Sequence, residues 1–132
     1  MKGYNINIEK ETLRNDTFRK VLYTGKHLQL VLMSLKIGED IGAEIHEEND
    51  QFFRFESGSG TCIIDDHTYL VADGDVIVVP AGAKHNVINT SKSGPLKMYT
   101  IYGPPNHLDE TIRTTKEEAE TKPEKFDGIT TE

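Results

Sequence analysis

Side chains that can bind a metal ion lie close together in one stretch of this 132-residue chain. Glu44 and His46 are two residues apart. Because side chains alternate along a β-strand, both project from the same face if this stretch is extended. Gln51 begins the next apolar run five residues later. Carboxylates and imidazoles are ligands of divalent transition metals, so the spacing indicates a strand that presents two metal-capable groups to one side.

A fourth polar candidate, His85, follows a turn formed by Pro80-Ala81-Gly82 and begins an apolar run. A histidine at the start of a strand beside a turn is a ligand if its side chain faces the protein interior and a surface residue if it does not. Its own position leaves both interpretations open. The weight of His85 as a site residue therefore comes from its pairing with the segment that contains Glu44 and His46.

Between residues 18 and 102 the chain alternates short apolar runs with turns rich in Gly, Asp, Ser and Pro, a pattern typical of an all-β sandwich or barrel. No long 3.6-residue periodicity competes with it. The predicted strands cover residues 18–24, 27–37, 43–46, 51–57, 60–65, 68–72, 75–80, 85–89 and 96–102. The sequence therefore predicts an N-terminal edge segment (1–17) with short strands around Ile6 and Ile8, a β-barrel (18–103) and a charged C-terminal extension (104–132).

The remaining segments make further predictions. Val76 to Val79 is apolar at every position, which indicates cover on both faces, from the N-terminal strand or from a second subunit, and we expect a homodimer. Within the extension, the charged stretch 114–120 can form a helix capped by Thr114 or Thr115. The last ten residues are poor in apolar side chains and are expected to be a mobile or partner-ordered tail.

Composition excludes several classes of function. The net charge is −7 and no cluster of Lys and Arg appears, which argues against a nucleic-acid ligand. No run approaches the roughly 20 apolar residues that span a bilayer, and the N-terminus lacks the apolar core of a secretory signal, so a cytoplasmic protein without a membrane partner is expected. The single cysteine, Cys62, lies in an alternating apolar run and is expected to be a buried hydrophobic residue.

The segments 38–58 and 74–89, which contain the four candidate ligands, resemble the two sequence motifs of the cupin superfamily. The fold of that superfamily is a double-stranded β-helix, or jelly roll. The first cupin motif, G-x5-H-x-H-x(3,4)-E-x6-G, is matched in spacing from Gly38 to Gly58, with Glu44 in place of the first histidine and Gln51 in place of the glutamate. The second, G-x5-P-x-G-x2-H-x3-N, is matched at every position from Gly74 to Asn89. The resemblance covers about residues 18–102 and does not extend to the two ends of the chain.

This resemblance implies one divalent metal ion, held by Glu44, His46, Gln51 and His85. The set keeps the single carboxylate of the usual three-histidine, one-glutamate site, and its amide oxygen shifts the preference from copper toward zinc, manganese, iron or nickel. Phosphomannose isomerases are similar in using two His, one Glu and one Gln, with the Glu and Gln positions exchanged. A degenerate cupin, in which these groups line a polar pocket without metal, is the alternative.

Two functions follow from the resemblance. The first is a metal-dependent enzyme, an isomerase, epimerase, lyase or dioxygenase, that acts on a small sugar or organic acid. The alternative is a non-catalytic module that binds or senses a small ligand or a metal. The inward positions Phe53, Phe55 and Val87 suggest an apolar cavity and a neutral or weakly polar ligand. His107, just after Pro104-Pro105, is a candidate acid or base over the barrel mouth.

Overall fold

The computed structural model describes residues 1–132 and contains ten β-strands and two short helices. The elements are α1 (Ile8–Arg14), β1 (Arg19–Thr24), β2 (Gln29–Leu35), β3 (Glu44–Ile45), β4 (Asp50–Ser57), β5 (Ser59–Ile64), β6 (His67–Ala72), β7 (Val76–Val79), β8 (Lys84–Ile88), β9 (Leu96–Gly103), β10 (Ile112–Arg113) and α2 (Lys116–Thr121). A six-stranded antiparallel sheet has the order β10-β1-β2-β9-β4-β7, and a four-stranded sheet has the order β3-β8-β5-β6.

The two sheets form the predicted jelly roll, and every one of the nine predicted runs contains a strand. Their inner faces meet in one core of 17 buried apolar residues, to which β4 contributes the stacked pair Phe53 and Phe55. Gln51 lies on the same face of β4 and is 2% exposed. Because side chains alternate along β4, the amide of Gln51 points into the interior on the same face as Phe53 and Phe55. No helix in the structure has both the length and the apolarity needed to cross a bilayer.

The N-terminal segment forms helix α1, so the prediction of edge strands around Ile6 and Ile8 is wrong. The Asn7 side chain accepts a hydrogen bond from the backbone N–H of Lys10 and caps the helix, while Glu9 and Glu11 place negative charge in its first turn. At the other end, the Lys97 ammonium group on β9 donates to the carbonyl oxygens of residues 13 and 15. These helix-end interactions outweigh the short apolar alternation that suggested a strand.

The C-terminal extension packs against the barrel along most of its length. β10 pairs with β1, α2 is capped by Thr115, and the backbone N–H of Thr131 donates to Thr24 O on β1. The terminal residue is also held, since the Glu132 carboxylate accepts hydrogen bonds from the N–H groups of residues 2 and 3 and from the Tyr23 hydroxyl. The structure therefore describes hydrogen bonds between the last ten residues and the rest of the chain, and a mobile or partner-ordered tail stays a prediction.

Strand β7 is covered on only one face within the chain. Ile77 and Val79 are buried, whereas Val76 and Val78 are 44% and 59% exposed. The prediction that the N-terminal segment covers the outer face is wrong, because α1 packs against β9 and β4 instead.

Cys62 is free and fully buried on β5, and burial raises the pKa of its thiol to about 11. Because the thiolate is the reactive form, we expect native protein at pH 8 to react with a thiol reagent such as Ellman's reagent far more slowly than protein unfolded in guanidinium chloride. Release of the coloured thiolate from the reagent over time measures both rates. Equal rates would show that the thiol is accessible in the folded state.

Candidate metal centre

The site is built where β3 pairs with β8, strands distant in sequence, and so brings Glu44 and His46 against His85. Glu44 on β3 is the cross-strand partner of His85 on β8, and His46 follows β3 on the face that Glu44 occupies. Gly82, in the turn before β8, adopts φ +88°, a left-handed conformation that favours glycine, and its N–H donates to His46 O at 2.9 Å. The turn thus fixes the backbone of His46 relative to the strand that carries His85.

One atom from each of these three residues lies within 4.8 Å of the other two, a separation at which one ion can contact all three. The imidazole rings of His46 and His85 are 5.3 Å apart between centroids. His46 Nε2 lies 3.0 Å from Glu44 Oε2. Glu44, His46 and His85, which were predicted from the sequence, are therefore brought together as a group that can hold a metal ion. These three residues are called the metal group below.

The hydrogen bonding of His85 suits a ligand. Its Nδ1 lies 3.2 Å from Ala83 O, so this nitrogen carries the proton and donates to the carbonyl. Its Nε2 is then a lone-pair nitrogen, and it is buried without a hydrogen-bond partner. Burial lowers the pKa of the imidazole below its ordinary value, which keeps the ring in the neutral form that binds metals. A backbone carbonyl that orients the ring in this way is common behind metal-bound histidines.

Glu44 supplies the negative charge of the group. Burial acts to raise the pKa of its carboxyl, but the hydrogen bond with His46 and the charges of His46, Arg19 and His85 outweigh that effect, and the pKa lies below its usual value. The group is therefore ionised at neutral pH. A carboxylate and two imidazoles form a harder donor set than three imidazoles, which suits zinc, manganese, iron(II) or nickel.

Gln51 is buried beside this group on the opposing sheet. It pairs across strands with Tyr102 of β9, whose ring packs edge-on against His46 at 5.7 Å. Its Nε2 donates to Thr100 Oγ1 at 3.0 Å, while its Oε1 is buried with no partner. The hydrogen bond of the amide nitrogen fixes the side chain, and the amide oxygen, the atom that can bind a metal ion, has no other partner. Coordination by Gln51 remains a prediction.

A cavity of about 620 Å³ opens above Glu44 and His46, and the C-terminal extension forms one of its walls. The expectation of an apolar cavity is wrong: Phe53, Phe55 and Val87 are fully buried in the core, and the open space has charged walls. Three cations and three carboxylates line it, namely Arg19, Lys116, Lys125, Glu44, Glu120 and Glu124. The C-terminal extension carries four of these six residues. The prediction of an apolar cavity rested on the barrel segments alone and therefore missed most of the charged wall.

His107 lies over the barrel mouth, where it lines the cavity, but both of its ring nitrogens are engaged. Nε2 lies 3.1 Å from the Tyr102 hydroxyl and Nδ1 lies 2.7 Å from Glu124 Oε1. Burial outweighs the effect of Glu124 and lowers the pKa of the imidazole, whereas burial raises that of the Tyr102 phenol. The structure thus shows a buried Tyr–His–Glu chain that connects the vicinity of the metal group to the extension.

Two residues of the site were missed in the sequence. Arg19 is 8% exposed and lines the cavity, and Glu124 lies in the part of the chain predicted to be a tail. A signal for Arg19 existed: it shares a strand face with Val21, so an inward Val21 places Arg19 inward as well. No comparable signal pointed to Glu124, because its partners His107 and Arg19 are distant in sequence.

Comparison with known proteins places this geometry in a family. Residues 31–102 match the model of the family described as "Cupin domain". A crystal structure of BH2720 from Bacillus halodurans superposes with a TM-score of 0.89 at 45% identity, covering 91% of this chain and 95% of that one. The uncharacterized protein YrkC of Bacillus subtilis is 52% identical over 124 residues, 89% of this chain and 66% of YrkC.

A more distant relative has a named activity. Quercetin 2,3-dioxygenase of Bacillus subtilis is 27% identical over 109 residues, which are 83% of this chain and 32% of that protein. The chain thus spans about one third of the dioxygenase and 66% of YrkC, so the matched region is only part of each relative.

Proposed function

Since this chain belongs to the cupin family, we propose that it is a divalent-metal-dependent enzyme that acts on a small organic acid or sugar, with dioxygenation as the first reaction to test. The observation that carries the proposal is the group of Glu44, His46 and His85 beneath an open cavity of about 620 Å³. A structural metal site is closed by four protein ligands, whereas a catalytic one keeps a position for water or substrate. Access from a cavity of this size favours catalysis.

The donor set supports the choice of reaction. Two histidines and one carboxylate with open positions are typical of non-haem iron oxygenases. The 27% identity to a protein named quercetin 2,3-dioxygenase supports the same class. A bound divalent ion would supply Lewis acidity toward a substrate oxygen and, if redox-active, reactivity toward dioxygen.

The protein's own groups would orient the substrate and control protons. Tyr102 is fully buried beside Gln51 and His46, and its hydroxyl is hydrogen-bonded to His107. Because Nδ1–H of the neutral imidazole donates to Glu124, its Nε2 accepts the Tyr102 hydroxyl hydrogen, and the Glu124 carboxylate would stabilise the positive charge formed if that proton passed to His107. We therefore assign His107 to positioning Tyr102, rather than to direct contact with the substrate.

Oxygen consumption tests the proposal. Protein loaded in turn with iron(II), manganese, nickel and zinc would be supplied with a panel of phenols, hydroxy acids and sugars, including mannose 6-phosphate, in an oxygen electrode with product analysis. We expect turnover with a redox-active metal that is lost in His46→Ala and retained in His67→Ala, an exposed histidine. Binding of metal and ligand without turnover would favour the non-catalytic module. Failure to bind any metal would contradict the metal-dependent enzyme and favour a metal-free module that binds a small ligand.

We also propose that the molecule is a homodimer whose interface includes the exposed face of β7. Val78 is 59% exposed on this edge strand, and covering an apolar strand face is favourable. Size-exclusion chromatography with light scattering should give twice the chain mass of 14.8 kDa, and Val78→Lys should shift the mass to that of one chain. Ile129→Lys, at an exposed apolar residue in the tail, is the control. A monomeric wild type would contradict the proposal.

A further inference from the structure

We propose that Arg19 is the anion-binding residue of this cavity, and that the natural ligand is a small carboxylic acid whose carboxylate is held by the Arg19 guanidinium beside the metal group. The inference rests on the proposed metal site and adds to it the chemical class of the ligand. Arg19 begins β1, and its side chain is only 9% exposed, yet it lines the same cavity as Glu44 and His46.

The guanidinium is buried without a hydrogen bond. Its Nε has no partner, and its nearest carboxylate contact, Nη1 to Glu124 Oε1, is 3.8 Å, too long for a hydrogen bond. Glu124 is already engaged, because its Oε1 lies 2.7 Å from His107 Nδ1 and its Oε2 lies 3.7 Å from Arg113 Nη2. The Glu124 charge therefore balances Arg19 from a distance and leaves its donors free.

The Phe18 ring covers one face of the guanidinium, with its centroid 5.4 Å from Arg19 Cζ, but this contact leaves the N–H donors in the plane of the group without acceptors. A guanidinium carries five such donors, and burying the Nε–H without an acceptor is unfavourable. The neighbouring inward position of β1 is Val21, which is 6% exposed, so an apolar side chain suits this wall of the barrel. An acceptor that enters through the cavity would satisfy the donors of Arg19, and a planar carboxylate matches their forked geometry.

The charges around the cavity favour an anion once a metal is bound. The three cations and three carboxylates that line it balance, and a divalent ion adds two positive charges. A single guanidinium suits a carboxylate better than a phosphate, because the other two cations are not available at the same place. Lys116 is paired with Asp40 and Glu120, and Lys125 is exposed.

Titration calorimetry on zinc-loaded protein tests the inference, because zinc supports binding without redox turnover. The probes are two carboxylates that carry an adjacent hydroxyl oxygen, glycolate and salicylate, their neutral amides, glycolamide and salicylamide, and inorganic phosphate. We expect at least one carboxylate to bind more tightly than its amide. Arg19→Gln should weaken that carboxylate about 10- to 100-fold, the range for hydrogen bonds to charged groups. Zinc affinity should stay within about threefold.

Two further variants keep the test interpretable. Lys125→Gln, which removes an exposed cation from the same cavity wall, should change carboxylate affinity less than about twofold. Arg19→Lys keeps the charge without the fork and should bind the carboxylate more weakly than wild type but more tightly than Arg19→Gln, which also covers the case that Arg19→Gln fails to fold.

The outcomes separate this inference from the metal site itself. Zinc uptake with equal carboxylate affinity in wild type, Arg19→Lys and Arg19→Gln would overturn the role of Arg19 alone. Zinc uptake with no carboxylate bound, or with phosphate bound more tightly than either carboxylate, would overturn the ligand class. Failure of the wild type to take up zinc would overturn the metal site, and with it this inference.

Discussion

Replacing His85 by alanine should lower the affinity of the protein for zinc and manganese by about 100-fold or more. Changes to residues that only support a ligand typically cost 10- to 100-fold in metal affinity, and removal of a ligand should exceed that range. His85 is 2% exposed, its Nδ1 is hydrogen-bonded to a backbone carbonyl, and its Nε2 is buried without a partner. Because Nε2 makes no hydrogen bond in the structure, the loss of metal affinity would measure its contribution as a ligand.

Competition with a chromophoric chelator measures the affinity, and elemental analysis measures the bound metal. His67→Ala is the matched control, because His67 lies on β6 of the same sheet with a side chain 67% exposed, is two strands away from His85 across β5, and is not part of the Glu44, His46 and His85 group. It should bind metal as the wild type does. Equal affinity in wild type, His67→Ala and His85→Ala would show that the polar group lines a pocket without holding an ion.

The position of the metal group could be predicted because it depends on short-range rules. The alternation of side chains puts Glu44 and His46 on one face, and the turn at residues 80–82 starts the strand that carries His85. The structure adds the pairing of Glu44 with His85 in register. Once the two motif segments form neighbouring antiparallel strands, the three ligand atoms converge without further information.

The walls of the cavity could not be predicted in the same way. Lys116, Glu120 and Glu124 lie in the extension, where the sequence shows charged residues and little periodicity. Their position depends on long-range contacts, such as the buried Gln29 amide on β2, whose oxygen accepts hydrogen bonds from the N–H groups of residues 106 and 107. The sequence does not distinguish a buried glutamine that binds a metal ion from one that holds a loop by hydrogen bonds. The polarity of the cavity therefore depends on tertiary contacts that local sequence patterns do not predict.

Gln51 offers the sharpest test of whether the site holds a metal, because Gln51→Glu should have opposite effects with and without the ion. The substitution keeps the shape and adds a carboxylate at a position that is 2% exposed and paired across strands with Tyr102. Without metal, burial raises the pKa of the new acid and reduces the free energy of unfolding. The loss at pH 7 is limited to about 3.7 kcal/mol, because the group can take up a proton instead, at 1.36 kcal/mol for each unit between pH 7 and an ordinary Glu pKa of about 4.3.

The pH dependence of this loss has a definite sign. A carboxyl whose pKa is raised in the folded state binds more protons there than in the unfolded state, so the stability of the variant relative to wild type falls as pH rises from about 4 toward 7. With metal bound, the added carboxylate becomes a ligand and the affinity for zinc or manganese should rise about tenfold or more. Saturating metal should then raise the melting temperature of Gln51→Glu by more than that of wild type, since a ligand that binds only the folded state stabilises it in proportion to the logarithm of its concentration over Kd.

The chain provides a matched control in Gln29→Glu. Gln29 is also a fully buried glutamine on an inner strand, but its amide nitrogen donates to Thr24 Oγ1 and His107 O, two acceptors that a carboxylate cannot satisfy. Gln29→Glu should lose stability as Gln51→Glu does. Saturating metal should raise its melting temperature by no more than it raises that of the wild type. If metal rescues neither variant, Gln51 Oε1 is not directed at an ion. If it rescues both equally, the stabilisation does not come from the residue at position 51.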